Sequence, residues 1–172
     1  MFIIHFYFFV RRWARGCLIV VLTLGVMPLA HAEAALKREP LMLDVYKSPN
    51  CSCCKQWVAY MNERGFMVQT HNTHHLDALK QSKGIGPAYQ SCHTGISADG
   101  YVFEGHIPAQ FVKAFLAAPP EDALGLSVPA MPVGSPGMEY QDMFRPYDIL
   151  LLKQDGSTVL YGRVNSLEAS LE

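Results

Sequence analysis

An excess of charge of either sign is missing from this sequence. Its 14 lysines and arginines stand against 15 aspartates and glutamates, for a formal net charge of −1. Nucleic-acid binding rests on a basic surface, so the balance lends no support to such a partner. Internal repeats and low-complexity segments are also lacking, and 172 residues is a length for one domain. A glycine-rich phosphate cradle, paired catalytic carboxylates and a Ser/His/Asp hydrolytic arrangement find no support. The apolar run CLIVVLTLGVMPLA, from Cys17 to Ala30, falls short of the roughly 20 residues that span a bilayer.

That run is flanked in the order of a secretory signal peptide. Arg11, Arg12 and Arg15 precede it, and the small residues of Ala30-His31-Ala32 follow it just before Glu33. The expected organisation is a cleaved leader at 1–32, a polar stretch at 33–40, a folded domain at 41–165 and a tail at 166–172. Export without a lasting membrane anchor is the expectation, and Cys17 leaves with the leader.

Four cysteines then remain: Cys51, Cys53, Cys54 and Cys92. Outside the cytoplasm they could form two disulfides. Cys53 and Cys54 are adjacent, however, and neighbouring residues bridge only with strain because their Cβ vectors diverge. At least one thiol of the CSCC cluster therefore has another use.

The remaining sequence alternates between strand and helix patterns. LMLDVYKS is a short apolar strand that ends in the turn and N-cap chemistry of Ser48-Pro49-Asn50. Trp57, Val58, Tyr60 and Met61 recur at helical spacing between Cys51 and Arg64, and Gly65 stops that helix. FMVQTHNT follows as a strand and HLDALKQSKG as a helix. SCHTGIS and YVFEGHI form a hairpin around Ala98-Asp99-Gly100. Pro108 opens the helix PAQFVKAFLAA, residues 118 to 147 read as a long Pro/Gly-rich loop, and YDILLLKQDGSTVLYGRV is a hairpin around Asp155-Gly156. This order defines the α/β class and matches a thioredoxin-like sandwich with an added C-terminal β-hairpin. The cysteine cluster would sit at its first strand-to-helix junction.

Cys51 and Cys54 make a C-x-x-C at a helix N-terminus, where free N–H groups and the helix dipole favour thiolate. Thiolate is both the redox nucleophile and the metal ligand, so this pair alone serves either chemistry. Cys53 separates the two. A dithiol catalyst needs two sulfurs and a third invites wrong pairing, whereas a polynuclear Cu(I) site uses extra thiolates as bridges. Cys92-His93 should face the same helix start, in the place where thioredoxins keep a cis-proline. The nearest proline here is Pro87.

His106, at the expected end of a strand, is either a ligand or a buried structural histidine. Met131 and Met138 lie in VPAMPVGSPGME, where they have little core to fill and could serve as soft Cu(I) ligands or as a lid. His71, His74 and His75 read as solvated, and Trp57 as core or a wall of the site.

The runs YKSPNCSCCKQW, SCHTGIS, YVFEGHIPA and GLSVPAMPVGSPGME, in that order, resemble a bacterial family long filed as of unknown function, which includes the CopG-type periplasmic copper-resistance proteins. The likeness runs from about Leu41 to Val164, with Ala130 standing where the pattern has glycine. It implies a periplasmic protein of thioredoxin-like fold holding several Cu(I) ions in a cysteine-bridged cluster. Cys51, Cys53, Cys54 and Cys92 would be the thiolates, and His93, His106, Met131 and Met138 the candidate outer ligands. Copper ions, and other periplasmic copper-handling proteins, would be the partners, with copper oxidoreductase activity as an extension of binding. The competing reading is a periplasmic thiol–disulfide oxidoreductase using Cys51 and Cys54. A zinc-stabilised module is a third, which the methionines fit poorly. Shared bridging predicts the four sulfurs mostly within about 4–7 Å of one another.

Overall fold

The computed structural model describes residues 40–172; the expected leader, 1–32, and most of the polar stretch lie outside the described residues. Seven strands form one mixed sheet in the order β2-β1-β3-β4-β5-β6-β7. β1 (Leu41–Lys47) leads into α1 (Ser52–Glu63), and β2 (Phe66–Asn72) returns parallel to β1. Gly65, at φ 85°, makes the turn between α1 and β2. α2 (Leu76–Ser82) and the short 3-10 turn Pro87–Tyr89 then carry the chain to β3 (His93–Ser97), which pairs antiparallel with β1.

β3 and β4 (Val102–Glu104) form the expected hairpin, closed by the Gly100 N–H on the Ser97 carbonyl at 2.9 Å. The strand ends at Glu104, two residues before its expected end at His106. Gly105 takes φ 81° and turns its N–H onto the His93 carbonyl at 3.0 Å, so His106 lies in the connection to α3 (Ala109–Ala117).

The stretch 118–147 is not loop throughout. Ala123–Ser127 forms β5, which lies parallel to β4 and antiparallel to β6 (Tyr147–Lys153). It was hidden because ALGLS is short, sits among prolines, and gains its strand character from neighbours on both sides. Through β5 the pair β6–β7, with β7 spanning Thr158–Val164, continues the same sheet. The tail carries a further helix, α4 (Leu167–Leu171), capped by Ser166 Oγ, which accepts from the Ala169 N–H at 3.2 Å. Among the described residues no helix is long and apolar enough to cross a membrane.

Strand alternation divides the buried side chains between two faces. On one face Leu43, Val45 and Phe103 pack with Trp57 and Met61 of α1 and with Val112 and Phe115 of α3. A smaller cluster of Ile85, Val102 and Leu152 belongs to the other face, since Val102 and Phe103 are consecutive on β4. Each large apolar side chain buried in this way stabilises the fold by about 1.5–3 kcal/mol. The packing fixes the β1–α1 and β3 ends against each other, and there the sulfurs meet.

Candidate metal centre

β1 ends at Lys47, and the turn that follows is closed by the Cys51 N–H on the Ser48 carbonyl at 3.2 Å. Cys51 is the N-cap of α1: its Sγ accepts from the Cys54 N–H at 3.3 Å, the role the sequence had assigned to Pro49-Asn50. All the sulfurs of the cluster thus gather where the helix presents its unpaired N–H groups and positive dipole end. Cys51 and Cys54 are joined as a disulfide, while Cys53 and Cys92 are free.

Cys92 comes from the opposite connection, immediately before β3. Its Sγ lies 3.4 Å from Cys54 Sγ and 3.8 Å from Cys53 Sγ, and Cys53 Sγ lies 3.4 Å from Cys51 Sγ. The four sulfurs all fall within 4.8 Å of one another. Several of these contacts are shorter than the 4–7 Å expected for bridging, since the sulfurs touch directly and two are covalently joined. Cys54 is buried and the other three are half-buried, so the cluster is reachable from one side.

Two imidazoles converge on Cys92. His106 Nε2 lies 3.0 Å from Cys92 Sγ, and its Nδ1 lies 2.8 Å from the Pro136 carbonyl. A carbonyl can only accept, so Nδ1 carries the proton and Nε2 turns its lone pair to the sulfur. His93 Nδ1 is 3.4 Å from the same sulfur, while its buried Nε2 has no hydrogen-bond partner among the described residues. The His93 ring is tilted against Trp57 at 4.4 Å between centroids and meets His106 edge-on at 4.9 Å. Trp57 is the wall behind the site, pinned by its Nε1–H on the Ile107 carbonyl at 2.9 Å.

Burial governs the protonation here. It holds His93 well below the usual histidine range, with His106 and Lys80 adding to the effect, and it lowers His106 as well. Both imidazoles are therefore neutral and able to donate a lone pair. Burial also pushes the Cys92 thiol up to about 12, with Cys53 as the next cause. Protonated Cys92 can donate its S–H to His106 Nε2, and a thiophilic ion would displace that proton on binding.

The loop over the site is held against it by backbone contact. Gly137 has φ 82°, and a Cβ there would stand 2.7 Å from both the Cys53 carbonyl oxygen and the Trp57 nitrogen. Only glycine lets the loop lie this close to the start of α1. Met138 follows it and is half-buried, with its N–H on the Ser135 carbonyl at 2.8 Å. Met131 is exposed, at 49%, on the limb that leads into the loop. Ala130 adopts φ 59°, the left-handed conformation that explains why glycine suits this position. The loop is tied from below by Ser170 of α4, whose Oγ donates to the Gly134 carbonyl at 2.6 Å.

Sequence reasoning missed one layer of this site. Glu104 and Lys80 form a fully buried ion pair on the far face of the sheet, and Glu104 also accepts from the Ser91 N–H and the Thr94 hydroxyl, each at 2.6 Å. A carboxylate inside the apolar run YVFEGHI was the signal that could have found it. A surface pocket of about 440 Å³, lined by Pro40, Leu41, Arg64, Gly65, Lys113, Leu116 and Ala117, lies at the other end of α1, away from the sulfurs.

Fold and site together define a mixed α/β protein with a compact cluster of cysteine and histidine donors able to hold a metal ion. The comparisons with known proteins agree with that class. The family model described as "Protein of unknown function, DUF411" matches residues 89–138, which include Cys92, His93, His106, Met131 and Met138. Two solved structures, copper resistance protein CopG Form 2 and Form 1, are each 37% identical to this chain. They cover 74% of it and are themselves covered in full, with TM-scores of 0.70 and 0.69. No curated protein matches the sequence. The chain belongs to the CopG-type copper-resistance family.

Proposed function

We propose that this protein is a periplasmic copper-binding protein of copper resistance, holding several Cu(I) ions in a thiolate-bridged cluster. The observation that carries the reading is the convergence of four sulfurs within 4.8 Å, with two neutral imidazoles facing one of them. Thiolate and thioether donors favour Cu(I), and neutral imidazole suits copper as well. Cys51, Cys53, Cys54 and Cys92 would supply the bridging thiolates, His106 and His93 the nitrogen donors, and Met138 and Met131 outer thioethers. The order β1-α1-β2 followed by the β3–β4 hairpin and α3 supports a thioredoxin-like core with β5 to β7 as an extension. Copper loading would begin with reduction of the Cys51–Cys54 disulfide, in which an external dithiol supplies two electrons and is itself oxidised. Oxidation of Cu(I) to Cu(II) at the same donors, with an external one-electron acceptor taking the electron, would extend binding to copper oxidoreductase activity.

The Cys51–Cys54 disulfide at a helix N-terminus is the one observation that favours the second reading, a thiol–disulfide oxidoreductase. Cys53 separates the two. Under the copper reading Cys53→Ser lowers Cu(I) stoichiometry in anaerobic titration, because a hydroxyl is a poor Cu(I) ligand and cannot bridge. Under the dithiol reading the same change leaves disulfide reduction intact, while Cys54→Ser should damage both activities and is the control. Full copper stoichiometry in Cys53→Ser, with thiol–disulfide exchange lost only in Cys54→Ser, would overturn the copper reading.

A further inference from the structure

The residue before Cys92 is held by a buried charge pair that lies on the opposite face of the sheet from the sulfurs. His93 and Thr94 are consecutive on β3, so they face opposite sides, and Thr94 pairs in register with Glu104 of β4. Glu104 and Lys80 are 0% and 1% exposed. Taking two charges out of water is costly, and an apolar pair of similar volume often does as well for stability. What an apolar pair cannot do is bond to backbone. Here Glu104 Oε1 accepts from the Ser91 N–H at 2.6 Å, Lys80 Nζ donates to the Ser91 carbonyl, and Thr94 Oγ1 donates to Glu104 Oε2 at 2.6 Å.

Every polar group of Ser91 is therefore engaged. Its hydroxyl donates to the Ala130 carbonyl, which ties the same point to the limb bearing Met131. Cys92 follows directly, and the next residue, His93, is fixed through its carbonyl by the Gly105 N–H at 3.0 Å. Gly105 in turn joins Glu104 to His106. One carboxylate thus stands at the root of the segment that carries Cys92 and His93 and of the segment that carries His106.

We infer that Glu104, paired with Lys80, is a positioning residue for the metal centre: it locks the Ser91 backbone and so sets the Cys92 sulfur against the α1 cysteines. The inference rests on the copper reading for its consequence, and on geometry alone for its cause. Outer partners that orient ligands typically change metal affinity 10- to 100-fold when removed.

The test uses variants that keep the fold while moving the acceptor. Glu104→Asp preserves the charge pair but withdraws the carboxylate by one methylene. The double variant K80M/E104L fills the space without bonding to Ser91, and K80M/E104Q restores an uncharged acceptor. The expected result is unfolding at near wild-type temperature for Glu104→Asp, with Cu(I) affinity lowered about 10- to 100-fold in competition with a chromophoric chelator. K80M/E104Q should bind more tightly than K80M/E104L. A readout without copper accompanies these. In a Cys51→Ser, Cys53→Ser background, the Cys54–Cys92 disulfide forms in a glutathione redox buffer, and its equilibrium reports the effective concentration of the two sulfurs. Glu104→Asp should lower that value about tenfold. If K80M/E104L fails to fold, Glu104→Asp and the milder Thr94→Val decide. A folded Glu104→Asp with unchanged copper affinity and unchanged cross-linking overturns the inference. If the wild type binds no copper, the copper reading falls and the cross-linking result alone decides the positioning role.

Discussion

Among the described residues the histidines fall into two groups, and only one converges on the sulfurs. His71, His74 and His75 crowd together in the sequence at the β2 edge, and all are at least partly exposed. His71 is already engaged, with Nε2 2.6 Å from Asp44 Oδ1 and its ring stacked on Tyr46 at 4.7 Å. His93 and His106 are well separated in sequence, yet their rings meet at 4.9 Å, fully buried, with one sulfur between them. Density along the chain is a poor guide to a metal centre. Convergence in space, burial that keeps the imidazole neutral, and a soft donor at the focus are what distinguish the second group.

The sharpest way to break this contrast is at its focus. Cys92→Ala removes the sulfur that both imidazoles and two other cysteines face, and should lower Cu(I) affinity by roughly 100-fold or more in anaerobic chelator competition. Retention of wild-type affinity would mean that the buried histidines are structural.

Gly137→Ala attacks the same region through its cover. The added Cβ meets backbone at 2.7 Å and φ is 82°, so the loop must lift from α1. The expected cost is about 1–3 kcal/mol in denaturant unfolding, and His106 loses its Pro136 partner.

A third test uses protons. His93 and His106 have pKa values depressed in the folded state, so below the unfolded value of about 6.5 the unfolded chain binds more protons. Their stabilising contribution is complete above that pH and is lost as pH falls toward the depressed values. Metal-free protein should lose about 1–2 kcal/mol between pH 7 and 5.5 in urea titrations. Replacing His106 by Gln should reduce that loss; an unchanged pH profile would contradict the buried, neutral assignment.

The smallest effect is expected at the edge. Substituting His71, His74 and His75 together by Gln should change stability by no more than about 0.5 kcal/mol and leave copper titrations unaltered. A drop in copper stoichiometry would give the exposed tract a role that its geometry does not provide.

Much of this was legible in the chain. The C-x-C-C spacing after a strand, the helix between Cys51 and Arg64 and the Asp99-Gly100 hairpin follow from local chemistry, and local chemistry is written in order along the sequence. β5 was not legible, because ALGLS becomes a strand only when β4 and β6 bond to it from either side. Nor was the extent of β4, which Gly105 cuts short and so releases His106 to turn toward Cys92.

The sequence by itself determined the donor types, the helix start that favours thiolate, and the alternation of strand and helix, since each depends on residues a few positions apart. Only the tertiary structure decided which donors meet. Parallel return of β1 to β2 and antiparallel pairing of β1 with β3 bring Cys92 to the cysteines of α1. The buried Glu104–Lys80 pair fixes the turn before it, and the loop at Gly137 closes over it. Those contacts join residues dozens of positions apart, and their strength comes from burial and convergence, which the folded chain alone supplies.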